Sequence, residues 1–193
     1  MKNLLTEKTG YQGYYIIMTR ILFFPHYIST IIANLQNSII LYYDNDLLKN
    51  YVIVIYNDRI ASFDFNINQL YKIYYSPKKD YFYSLVIYKS EKTKLIISSD
   101  NNILVWDFHS GDFEKEIFVC HHRKLRSVCP WNDKYYFTGS TTIRLVDVNN
   151  EKIKKISKKV GLISSIKKYI HPQFGEYLIT KSNSKIQLWR IEK

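Results

Sequence analysis

The chain has 193 residues, 46% of them hydrophobic, and a formal net charge of +11. That apolar content supports one sizeable core and excludes global disorder. The two cysteines, Cys120 and Cys129, are too few for a disulfide framework, which points to a reducing intracellular compartment, cytoplasmic or nuclear.

Residues 1–10 carry charges and lack the apolar run of a signal peptide. Residues 14–35 are apolar, but Arg20, Pro25, His26 and Asn34 interrupt them. A membrane-spanning helix needs roughly 20 unbroken apolar residues, so no span is expected. Within this stretch, 21–24 and 27–34 read as short strands. From residue 38 onward β-like runs come in sets. The first set is 38–43, 51–56, 59–65 and 69–75, and the second is 82–88, 94–98, 103–108 and 113–119. The third is 125–129, 135–139, 143–148 and 152–157, and the last is 163–169, 177–181 and 185–191. Ile, Val, Tyr and Phe between polar breaks mark these runs as strands, too short for helices. With only 6 Gly and 4 Pro, the turns fall to Asn, Asp, Ser and Lys.

A period organises the sets. An aromatic or large apolar residue followed by Asp closes the third run of each: Phe63-Asp64, Trp106-Asp107 and Val146-Asp147. Trp189-Arg190 keeps the Trp and loses the acid, and the steps are 43, 40 and 43 residues. Four strands in about 40–45 residues is the spacing of a propeller blade. One four-stranded sheet cannot bury both faces alone, whereas stacked sheets bury each other's. Phe23 lies 40 residues before Phe63, so residues 1–26 read as an N-terminal segment, the remnant of an earlier blade.

The stretch from Leu95 to Asp107 resembles the second and third strands of the WD40-repeat family and the turn between them. Asp100 stands six residues before Trp106, and Ser98 two before Asp100, as in the family pattern. The resemblance covers residues 27–193. It implies an all-β, WD40-like β-propeller with four visible four-stranded blades, Ser98, Asp100, Trp106, Asp107, Asp64, Asp147 and Trp189 holding structural positions. In the family, a His from the loop before the first strand joins the Ser/Thr, Asp and Trp in a hydrogen-bonded network. No His precedes Phe82, so Asp100 is expected to bond backbone N–H groups of its own turn. His121 and His122 precede the next blade, but Ser140 replaces its Asp and Val146 its Trp; the last has Asn183 and Trp189 with Lys181 at the Ser/Thr position. Packing rather than polar networks is expected to hold the blades. WD40 rings have about seven blades, so the chain is read as an incomplete ring. Residues 27–34 would complete the last blade if the ring closes, and would pair with 21–24 or lie free if it does not.

No catalytic constellation is evident. Cys120, His121, His122 and Cys129 have metal-ligand chemistry but not the spacing of a zinc site, and no metal or cofactor is expected. Binding residues are sought in the loops before the first strand and between the second and third, which form the family's usual contact face. There Lys78, Lys79, His122, Arg123, Lys124, Lys158 and Lys159 would make a basic rim, against the bland reading of solvated surface lysine. The expected function is a non-catalytic intracellular scaffold for protein–protein interactions. The partners would be other proteins, acidic ones among them, and open blade faces would favour self-association. The alternative is a basic-surface module for nucleic acid or anionic lipid.

Overall fold

The computed structural model describes residues 39–56, 58–121, 123–157, 161–183 and 185–190. The readings made for residues 1–26 and 27–34, and with them ring closure, lie outside these residues.

The described residues are all-β, with no helix. The first sheet is β1 (Ile39–Asp44), β2 (Lys49–Tyr56), β3 (Arg59–Asp64) and β4 (Gln69–Tyr75). The second is β5 (Ser84–Lys89), β6 (Thr93–Ser98), β7 (Asn102–Asp107) and β8 (Phe113–Phe118). The third is β9 (Ser127–Pro130), β10 (Tyr135–Gly139), β11 (Ile143–Asp147) and β12 (Ile153–Lys155). The last has three described strands, β13 (Ile163–His171), β14 (Gly175–Ser182) and β15 (Ile186–Arg190). Each sheet is an antiparallel meander in chain order, with each Trp, or its replacement, on the third strand. Strands β4 and β10 match the sequence reading residue for residue, and the charged run 152–157 shrinks most, to three residues.

Each strand alternates its side chains between two faces, and consecutive sheets bury those faces against each other. Tyr51, Ile53 and Ile55 of β2 share a core with Leu95, Ile97, Leu104 and Trp106 of the second sheet. The other face of that sheet gives Ile96, Ile103 and Val105 to a core with Val128, Tyr136 and Val146. Phe137 and Ile143 of the third sheet then meet Ile163, Ile166 and Leu178 of the last. The first strands β5, β9 and β13 lie side by side. Serine hydroxyls join them: Val128 N donates to Ser84 Oγ at 3.3 Å and Ile166 N to Ser127 Oγ at 2.9 Å.

One end of the sheets carries the turns from first to second and from third to fourth strand, and acceptor side chains fix it. Asp44 Oδ1 accepts from the N–H groups of Asp46 and Leu47, Asp107 Oδ1 from His109 and Ser110, and Asp147 Oδ1 from Asn149 and Asn150. Asp64 accepts from Asn66, and Asn132 and His171 do the same work in their turns. A short polar side chain that bonds the backbone two residues on is the reason Asp and Asn serve here where glycine is scarce. Fourth-strand lysines tie this end to the following sheet: Lys72 donates to the carbonyl of His109 and Lys115 to that of Val148.

Candidate loop-face binding site

The opposite end carries the longer loops, and their backbones are anchored. Leu125 N donates to the Asp100 carbonyl at 2.7 Å, and Ile163 N to the Ser140 carbonyl at 2.6 Å. Each second-to-third-strand turn thereby holds the segment that opens the next sheet. His121 Nε2 lies 3.1 Å from Thr138 Oγ1, and Ser140 Oγ donates to the Arg123 carbonyl at 3.0 Å.

Asp100 departs from its expected role. Its carboxylate reaches out of its turn: the Tyr83 hydroxyl donates to Asp100 Oδ1 at 2.7 Å, and Lys124 Nζ lies 3.5 Å from the same oxygen. Tyr83 sits just before β5, in the segment where the sequence offers no His, and its phenol supplies a donor from there. Ser98 is fully buried and pairs with Ser84 Oγ at 2.8 Å. Trp106 is 2% exposed and meets Phe82 and Phe113 edge-on, as the register requires. Trp189 is half-buried, its indole N–H donating to Thr180 Oγ1 at 2.9 Å.

The basic rim is partly neutralised. Lys78 sits 2.8 Å from Glu116 Oε2, an acid of β8 that sequence alone gave no reason to pair with it. Lys124 is held by Asp100 and also lies over two tyrosine rings, 5.1 Å from the Tyr83 centroid and 5.9 Å from that of Tyr81. These partners keep the Lys124 ammonium above its ordinary range, the Tyr83 hydroxyl contributing most. Lys79 and Arg123 are exposed, Lys79 with φ of 58°. His122, Lys158 and Lys159 lie outside the described residues.

A second cation–aromatic group stands on the same end of the first sheet. The Arg59 guanidinium lies 5.6 Å from the Tyr56 ring and 5.9 Å from that of Tyr75, and Tyr75 and Arg59 are cross-strand neighbours. Tyr75 and Tyr81 are both more than half exposed. The sequence reading marked these loops but not these tyrosines, because nothing in the sequence singles out two of 18 Tyr.

Among the described residues no group of three His, Cys, Asp or Glu side chains is placed to hold a metal ion. Both cysteines are free, Cys120 exposed and Cys129 buried. No helix among the described residues is long and apolar enough to cross a membrane.

A scan of protein-family models and a search of curated proteins return no match. Among solved structures the chain is similar to the computationally designed Ika4 protein, with a TM-score of 0.57 at 12% identity, covering 82% of this chain and 94% of that one. At that identity the likeness bears on the fold alone.

Proposed function

We propose that this chain is a run of WD40-like propeller blades working as a non-catalytic scaffold for other proteins in a reducing intracellular compartment. The observation that carries the reading is the anchored loop end with its two tyrosine–cation groups, Tyr56–Arg59–Tyr75 and Tyr81–Lys124–Tyr83. Tyrosine and arginine are the residue types enriched at interface hot spots, since they give large contact area for few rotatable bonds. The WD40 assignment rests on the blade-like period, on Ser98, Asp100 and Trp106 in one sheet, and on the His121–Thr138 bond in the next. The two free thiols suit the compartment. Binding of nucleic acid or anionic lipid draws on the +11 charge, and the Glu116 and Asp100 ion pairs weaken that case on this rim.

The test is affinity purification of the full chain with cross-linking. The double variant Tyr75→Ala/Tyr81→Ala is expected to lose cross-linked partners while its unfolding midpoint stays within the small range of surface substitutions. A chain that recovers no protein partner, yet binds RNA with a steep salt dependence, refutes the scaffold reading.

A further inference from the structure

The last sheet ends on an edge whose chemistry differs from the other three. In those, the residue after the Trp position is Asp64, Asp107 or Asp147, and its carboxylate accepts the N–H groups of the turn that leads into the fourth strand. Arg190 occupies that position on β15. A guanidinium has donors only, so it cannot cap such a turn. Among the described residues β15 pairs with β14 alone. Ser182 N donates to the Lys185 carbonyl at 2.9 Å. By antiparallel alternation, Gln187 and Trp189 also turn their backbone groups to β14, and those of Ile186, Leu188 and Arg190 face outward.

The side chains of the same three residues lie on the face of the sheet away from the third. Ile186 and Leu188 occupy the register positions that Ile103 and Val105 hold in the second sheet, where both are buried against a neighbour. Here they are 73% and 59% exposed. This face is thus built like the covered ones, with three changes of one sign. Lys167, Lys181 and Arg190 lie on it, and no carboxylate of β13, β14 or β15 does. Two copies meeting face to face would set these cations against each other.

We propose that the β15 edge and the adjoining face receive an extended segment of a partner protein, added as the antiparallel fourth strand, with an acidic residue opposite Arg190 and apolar residues opposite Leu188 and Ile186. Strand addition of this kind takes affinity from main-chain hydrogen bonds and specificity from alternate side chains. The proposal rests on the scaffold reading for its biological sense, and it names a second contact surface distinct from the loop end.

The test uses the full chain and a synthetic peptide of alternating valine and threonine opened by aspartate. Its controls are the same peptide opened by lysine and one with proline at its centre. Binding is read by fluorescence anisotropy, and edge protection by amide hydrogen exchange. The aspartate peptide is expected to bind the wild type and the proline peptide to fail. Arg190→Asp is expected to weaken the aspartate peptide about tenfold and to reverse the preference toward lysine. A swap of preference cannot come from misfolding. Absence of binding, binding indifferent to Arg190→Asp, or full protection of the Ile186, Leu188 and Arg190 amides in the free chain overturns the proposal. Self-association that the peptide does not dissolve does so as well. The peptide assay needs no natural partner, so its failure leaves the scaffold reading to the cross-linking experiment, and failure there leaves the peptide result standing.

Discussion

Gly139→Ala probes how closely the third and last sheets approach. A Cβ at this position would lie 2.7 Å from Ile166 Cδ1, 2.8 Å from Ile163 Cγ2 and 3.2 Å from Ile163 Cβ. Carbon pairs settle at about 3.5–4.0 Å, so each close contact must open by roughly 1 Å. Ile166 Cδ1 ends a flexible chain and can rotate away. Ile163 Cγ2 is fixed on a β-branched carbon in a strand, so β13 itself must shift. Overpacking of this kind costs about 1–3 kcal/mol. Replacing a glycine in regular structure returns up to about 0.5–1 kcal/mol, and less at the strand end where Gly139 lies, so a net loss of about 1 kcal/mol is expected. The assay is urea unfolding followed by tryptophan fluorescence, in a double-mutant cycle with Ile163→Ala. The second substitution removes the clashing methyl, so the two losses are expected to fall short of their sum by about 1 kcal/mol. A Gly139→Ala chain as stable as the wild type, with additive losses in the cycle, refutes the packing of β13 against β10.

Tyr83→Phe removes the hydroxyl that reaches Asp100 and is expected to cost about 1 kcal/mol in the same unfolding assay, with no further loss when Asp100→Asn is added; full additivity would show that the two groups act apart. Stability is expected to fall on acidification. Burial pushes Asp64 and Asp107 up, but Lys49 and the Asn66 N–H outweigh this at Asp64, and the Ser110 and His109 N–H groups do so at Asp107. Asp147 is lowered first by the Asn150 side chain. Carboxylates lowered by folding stabilise above the ordinary range near pH 4, and that contribution is lost as pH falls through the lowered values. Asp107→Asn should therefore flatten the pH dependence of the urea midpoint below about pH 4, and an unchanged slope would contradict the capping role. A thiol reagent is expected to label Cys120 at once and Cys129 only on unfolding, because burial pushes the Cys129 thiol up and closes access to it; equal labelling rates in the native chain would place β9 on the surface.

The strands were legible because their signal is local. Runs of Ile, Val, Tyr and Phe broken by Asn, Asp and Ser locate each strand to within a residue or two, and the Trp-Asp spacing sets their grouping. That turns fall to Asn, Asp and Ser was legible for the same reason, since the groups that Asp107 and Asp147 bond are two and three residues away. Partnerships over longer spans of sequence were not. Glu116 of β8 meets Lys78, and Asp100 meets Tyr83, only after the segment leading into β5 folds against the rest of the second sheet. Asp100 was assigned to its own turn because local bonding is what a sequence displays. Tyr75 and Tyr81 look like the other tyrosines until the fold sets them beside Arg59 and Lys124. Arg190 was visible as a lost acid, but its meaning depends on what the other three acids do in their turns.

The serine links between successive first strands bear on how the molecule opens. Ser84 and Ser127 each hold an N–H of the following sheet, so the third and last sheets are each registered on their predecessors. Cooperativity in such an array is one-dimensional, a sum of unit and nearest-neighbour energies. Among the described residues the second and third sheets have a sheet on each side, whereas the first and the last have one on one side only. Amide exchange should therefore be slowest in β6 and β10 and faster in the outer sheets, and the chain should shed its last sheet as a unit before the middle gives way. Because each core is shared by two consecutive sheets, gain or loss of a unit at an end of the array alters one core, whereas loss of an inner unit brings two unmatched faces together.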